Sequence, residues 1–175
     1  NKGSDLTIHF PNGMKWNGRY NTVSGKLMTD SLIVHDEQSR KFEYFYDKDK
    51  LTKLKDQRGI EFEYKYDNTG NLAEIATSTG EKRSYVYNEI GQCISIIQEG
   101  PEGTTKVQRE FDTLGNILKE SVYLNEKLHQ ETEQVFNVMG NRFSLDVLNQ
   151  GFGSVRLFKY TATNKLAGCE IPGTA

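Results

Sequence analysis

The chain repeats itself, and the repeat constrains its fold more than any other feature. An aromatic residue is followed by Asp or Asn, then by Gly three positions on, then by a polar residue and often an aliphatic one. Tyr66-Asp67-Asn68-Thr69-Gly70-Asn71-Leu72 is the cleanest copy. Tyr87-Asn88-Glu89-Ile90-Gly91-Gln92-Cys93, Phe111-Asp112-Thr113-Leu114-Gly115-Asn116-Ile117 and Phe136-Asn137-Val138-Met139-Gly140-Asn141-Arg142 follow it. Three degenerate copies flank these. Tyr46-Asp47-Lys48-Asp49-Lys50-Leu51 lacks the Gly, the copy at Tyr20 has one extra residue before Gly25, and the copy at Tyr160 carries Asn164 in the Gly position. The anchors Tyr20, Tyr46, Tyr66, Tyr87, Phe111, Phe136 and Tyr160 are 26, 20, 21, 24, 25 and 24 residues apart. The longer units read as loop insertions, one of them at Gly100-Pro101-Glu102-Gly103.

Each piece of the repeat has a physical role. The aromatic ends a strand. Asp or Asn opens a turn by accepting hydrogen bonds from backbone groups just ahead. Gly supplies the positive φ of a tight reversal. Asn164 also tolerates that region, whereas Lys50 does not, so a different turn is predicted there. Between the turns apolar residues alternate with polar ones, as in Phe42, Tyr44 and Tyr46, in Phe62, Tyr64 and Tyr66, and in Leu6, Ile8 and Phe10. This period of two predicts half-buried antiparallel strands. The predicted fold is therefore all-β: tandem antiparallel β-hairpins forming a twisted, curved open strip, one domain over 1–175 with seven units and about fourteen strands. The stretch from Asn125 to Gln134 has the weakest strand signal and is expected to hold a helical turn or a loop. With no evident cap, and with Asn rather than Met first, the chain reads as a piece of a larger array.

Composition excludes several classes. The net charge of -2 argues against a dedicated nucleic-acid binder, which would need a basic face. Hydrophobic residues are 35% of the chain, low for a compact globule, but 11% aromatics at near-zero net charge argue against disorder. The apolar runs are too short for a membrane-spanning helix. Cys93 and Cys169 form no metal motif; they are expected to be small buried apolar residues, with a disulfide between them left open.

The spaced pattern Y-D-x-x-G-N-L resembles the tyrosine-aspartate (YD) repeats of the Rhs family, also found in wall-associated proteins, insecticidal toxin complexes and teneurins. The resemblance runs from about Tyr20 to Gly168 and is most specific at Tyr66 to Leu72 and Phe111 to Ile117. It implies a β-strip that spirals into a hollow shell, which in bacterial members encloses a toxic C-terminal domain, and an extracellular or cell-surface location. The chain is too short to close such a shell. It also lacks the D-P-x-G-x type of motif that marks the self-cleaving end of an Rhs core; Ile171-Pro172-Gly173 is the nearest segment.

Candidate chemistry is sparse. His9, His35 and His129 have no partner at metal-ligand spacing, and His35-Asp36 reads as a strand-to-turn transition. No nucleophile elbow or phosphate loop is present. Asp47, Asp67 and Asp112 recur at one repeat position, where the turn explains them without catalysis. Calcium would need two or three aspartates per turn. No catalytic residue, cofactor or metal is therefore assigned, and the chain is expected not to be an enzyme. Trp16, flanked by Asn12, Asn17 and Arg19, and the tyrosines Tyr44, Tyr64 and Tyr85 are the candidate ligand or partner contacts. Stacking on a glycan is the alternative; Trp16 is expected to staple the first hairpin and the tyrosines to pair across strands. The expected function is a structural segment of a secreted or surface protein, part of a shell or scaffold. The alternative is a carbohydrate- or cell-surface-binding module. The expected partners are flanking repeats or another domain through strand edges, with a glycan or a second copy as further classes.

Overall fold

The computed structural model describes residues 3–35, 37–149 and 152–172. Asp36 and Gly173, named above, lie outside them. Among the described residues the structure is all-β and without helix, as the repeats predict. The strands are β1 (Gly3–His9), β2 (Lys15–Asn21), β3 (Leu27–Val34), β4 (Glu37–Asp47), β5 (Lys50–Asp56), β6 (Glu61–Tyr66), β7 (Leu72–Thr77) and β8 (Lys82–Tyr87). They continue as β9 (Cys93–Gly100), β10 (Gly103–Phe111), β11 (Ile117–Leu124), β12 (Lys127–Phe136), β13 (Arg142–Asn149), β14 (Phe152–Tyr160) and β15 (Leu166–Glu170). Strand order in the sheet is the order along the chain. Contacts divide the chain into two compact units, Asn1–Lys82 and Arg83–Ala175.

The seven anchors fall at or next to the ends of the even-numbered strands β2 to β14, and the turn follows each of them. At the central copies the turn is the same to the atom. The amide of Asp67 donates to the carbonyl of Asn71 at 2.9 Å, and that of Gly70 donates to Asp67 at 3.1 Å. Asp67 Oδ1 accepts from the amides of Thr69 and Asn71, both at 2.9 Å. Asp112 and Asn137 reproduce this set with their own residues two and four ahead. It is a type I turn closed by Gly in the left-handed region, the usual three-residue hairpin; Gly70 has φ +98°. Asn164 takes that role at φ 63°. At the copy lacking Gly the turn does change: Asp47 pairs directly with Lys50, and Lys48 adopts φ 50°.

Two features lie outside the sequence expectation. Asp56 to Ile60 and Thr77 to Glu81 build the same turn at the opposite ends of the hairpins, with no aromatic before them. In addition, the return strand carries an extra residue beside the anchor. The register runs Lys65↔Glu74 and then Tyr66↔Leu72, leaving Ala73 unpaired. Thr52, Leu118, Phe143 and Ala167 are skipped in the same way. Such bulges increase local twist.

The expectation of a helical turn or loop at Asn125 to Gln134 is corrected. Asn125 and Glu126 form a two-residue hairpin turn, with φ of 48° and 67°, and β12 begins at Lys127. Two left-handed residues make the turn whose twist matches the strands. The Asn125 side chain also accepts from the amide of Thr104 at 2.8 Å. It lies where a side chain on Gly103 would collide with it. Gly100 to Gly103 is likewise not a loop insertion but a tight hairpin turn, with Gly100 paired to Gly103. The expected burial of both thiols is corrected too. Cys93 is half-buried, Cys169 on the last strand is exposed, and both are free.

In the first unit the two sheet faces differ. One carries the rows Ile8–Trp16–Leu32, Tyr44–Leu54–Phe62 and Tyr64–Ile75, read from direct cross-strand pairs. The other is mainly an ion-pair lattice, Lys53 to Glu61 at 3.3 Å, Lys65 to Glu74 at 2.7 Å and Lys82 to Glu74 at 3.0 Å, with Phe45 exposed under the Lys53 ammonium. No hydrophobic side chain among the described residues is fully buried, so the apolar face has no second layer over it.

Candidate functional site

Two of the four candidate aromatics meet at a carboxylate that sequence reasoning missed. Asp30, in the middle of β3, is only 5% exposed. Its cross-strand partners are Gly18 on β2 and Phe42 on β4. Burying a carboxylate is costly unless donors surround it, and three do. Trp16 Nε1 donates to Asp30 Oδ2 at 2.9 Å, Arg40 Nη2 donates to the same oxygen at 3.2 Å, and the Tyr44 hydroxyl donates to Oδ1 at 3.1 Å.

Local sequence makes this convergence fit. Trp16 and Gly18 are two apart on β2 and therefore share a face. The indole leans along the strand over Gly18, where a methyl group would collide with the ring. Glycine at 18 thus clears the path by which the indole reaches Asp30. Arg40 and Tyr44 come in from β4, and Tyr44 packs against Phe42 with ring centroids 6.4 Å apart. Burial, followed by the charge and hydrogen bond of Asp30, pushes the Tyr44 phenol up to about 12. Tyr44 is thus a neutral donor at ordinary pH and is not poised as a base or nucleophile. The cluster locks three strands together.

The other two candidates do not join it. Tyr64 lies on the same face, half-buried, with its phenol raised by burial. Its cross-strand neighbour is Ile75, while that of Tyr44 is Leu54. The expected direct pairing of the tyrosine rows is therefore corrected: β5 separates β4 from β6 and places an aliphatic between the rings. Tyr85, half-buried on β8, belongs to the second unit.

The recurring carboxylates are occupied by their turns. The Asp67 carboxyl is held below its usual range by the Thr69 hydroxyl and then by donors from Asn71. The Asn116 side chain and the backbone amides of its turn hold Asp112 down in the same way.

A second cluster lies in the second unit. Glu131, Glu133 and Asp146 line a cleft of about 250 Å³ with Leu148 and Val155. Lys119 bridges Glu131 and Glu133 at 3.0 Å each. Its hydrogen bond lowers the Glu131 carboxyl, and the two acids raise Lys119. Glu131, so paired, is stabilised as its anion and is a poor proton donor. Among the described residues no three His, Cys, Asp or Glu side chains are grouped to hold a metal ion, and no helix is long and apolar enough to cross a membrane.

No family model and no curated protein sequence matches this chain. Among solved structures it is similar to a chain of the crystallised TcdB2-TccC3-TEV, with a TM-score of 0.45 and 14% identity over 90% of this chain and 12% of that one. It is also similar to a porin-like protein from Bacteroides uniformis, with a TM-score of 0.43 and 11% identity over 91% of this chain and 60% of that one. This chain thus spans less than two thirds of either. Likeness at this level carries no functional argument.

Proposed function

We propose that this chain is a non-catalytic structural segment of an exported bacterial or cell-surface protein, a stretch of wall that encloses or displays another domain. The observation that carries this reading is the division of the first unit into one apolar face and one ion-paired face. A wall between solvent and a packed interior needs that division, while a binding cleft or catalytic centre does not. The motif resemblance to YD repeats supports it, as does the use of Asp67 and Asp112 in turn geometry rather than in a cleft. Flanking repeats or another domain would join at the strand edges. The glycan-binding alternative draws less from the geometry, because the polar edges of Trp16 and Tyr44 are turned to Asp30.

Repeat walls are stabilised mainly by neighbour contacts, so whole units are removable. Excising residues 88–111, one anchor-to-anchor period, is expected to leave a cooperatively folded β protein of lower stability. Complete loss of folding would defeat the wall reading. A glycan array bound by the wild-type chain but not by Trp16→Ala would move the assignment to the alternative.

A further inference from the structure

A sheet with one apolar face is stable only when that face is buried against another layer. In the first unit Trp16, Leu32, Phe42, Leu54, Phe62 and Ile75 share such a face, and each remains partly exposed. We propose that a second copy of this chain covers it, the two apolar faces packing as the layers of a β-sandwich. This goes beyond the wall reading by naming the layer packed against the apolar face, a second copy rather than an enclosed domain.

Two observations favour a second copy over a partner of other chemistry. The first is area. Strands β1 to β7 at about 4.8 Å spacing, each about seven residues of roughly 3.3 Å, present a face of about 700 Å². That is near the ~800 Å² each partner contributes to a stable interface of standard size. The second is charge. The carboxylates on this face are already matched within the chain, Asp30 with Arg40 at 3.2 Å and Asp56 with Arg58 at 2.9 Å, and the Lys50 ammonium rests over the Tyr66 ring, 4.9 Å from its centroid. A strongly charged partner would find few unmatched charges there, whereas a second apolar face needs none. The ion-pair lattice keeps the opposite face in water. Aligned packing about 10 Å apart would let the aromatic rings of one copy enter the gaps beside the aliphatics of the other.

The test uses the full chain in reducing buffer, because Cys169 is an exposed free thiol that could cross-link copies. Sedimentation equilibrium from low micromolar to near-millimolar concentration is expected to show mass rising from that of one 20.0 kDa chain to that of two. Trp16 is the single tryptophan and sits on the face in question. Over the same range its emission should move to the blue and its quenching by acrylamide should fall severalfold. Leu32→Glu and Phe62→Glu should remain monomeric with intact β circular dichroism, while Glu63→Gln, on the opposite face, should dimerise like the wild type. A chain monomeric throughout would overturn the proposal. So would a dimer whose Trp16 stays equally quenchable, since association would then run through a strand edge. The tryptophan readout needs no substitution, so it decides the matter even where a charged variant fails to fold.

Discussion

The hydroxyl of Tyr66 donates to the backbone carbonyl of Leu51 at 2.9 Å, tying the anchor of one repeat to the return strand of the repeat before it. Tyr160 makes the equivalent bond to Arg142 at 2.8 Å. At these two anchors the ring ends a strand and the hydroxyl staples neighbours, which separates Tyr66 and Tyr160 from Phe111 and Phe136. Tyr66→Phe keeps the ring and removes the staple. It should cost about 1 kcal/mol, the net worth of one such bond. For a chain of this size that is a fall of about 2–4 °C in Tm. Tyr160→Phe should cost the same or less, because it lies nearer an edge. Thermal unfolding of the two variants beside the wild type would show it, and equal Tm values would mean the hydroxyls are satisfied equally well by water.

The buried carboxylate at 30 should matter more. Asp30→Ala leaves Trp16 Nε1, the Tyr44 hydroxyl and Arg40 without their acceptor, and the loss should be about 1–3 kcal/mol. Asp30→Asn keeps an acceptor oxygen but loses the ionic partner of Arg40, so it should fall between Ala and the wild type. Urea unfolding followed by Trp16 fluorescence measures both the midpoint and the release of the indole. A loss no greater than that of an exposed Asp→Ala change would show that the three donors find water freely.

The anchors, the alternation and the central turns were legible because each depends on residues adjacent in the chain. Asp67 reaches amides two and four ahead, and Gly70 completes the same turn, so the pattern is printed locally. The turns at Asp56 and Thr77 were legible too, since Asp56-Gln57-Arg58-Gly59 and Thr77-Ser78-Thr79-Gly80 have the same polar-x-x-Gly form. They were missed because an aromatic was required before them. The Asp30 cluster was not legible. Between Thr29 and Ser31 an aspartate reads as solvated, and its donors lie 14, 10 and 14 residues away on two other strands. The bulges were hidden for a similar reason: Ala73 is recognisable as an extra residue only against the partner strand. The turn at Asn125-Glu126 lacks Gly, so the positive φ of Glu126 has no signal in the sequence.

High pH should act through Tyr44. Its folded pKa, about 12, stands above the ordinary phenol value of 10.0. The native state therefore holds this proton more tightly than the unfolded chain does. The associated stability is fully present below pH 10 and is lost as pH rises from about 10 towards 12. Tyr44→Phe should flatten the stability profile in that window, although the variant starts lower because it has lost its bond to Asp30. Urea midpoints taken at neutral pH and across the alkaline range test this, and parallel profiles for the two proteins would contradict it.

Low pH should act through the turns. The Asp67 and Asp112 carboxyls are both lowered by their own turn donors. A depressed folded pKa contributes stability above the unfolded value, and that contribution is lost as pH falls below about 4 through the folded pKa. Asn88 and Asn137 make the same turns without a charge. Asp67→Asn with Asp112→Asn should therefore leave neutral stability almost unchanged while reducing the loss between neutral pH and acid. Acid titrations followed by circular dichroism would show it as a lower unfolding midpoint, and an unmoved midpoint would place the acid sensitivity elsewhere.

Glycine at 18 should be coupled to the tryptophan two residues before it. Gly18→Ala places a methyl group where the Trp16 ring lies, and overpacking of this kind costs about 1–3 kcal/mol. The backbone itself is not the obstacle: Gly18 lies within β2, where alanine is better tolerated than glycine. The sign should therefore depend on the indole. In a Trp16→Ala background Gly18→Ala should be neutral or slightly stabilising, giving a coupling energy of about 1 kcal/mol or more in a double-mutant cycle. Additive effects at the two positions would mean that the ring can swing away from Gly18 without cost. Its bond to Asp30 would then contribute nothing measurable to holding β2 against β3.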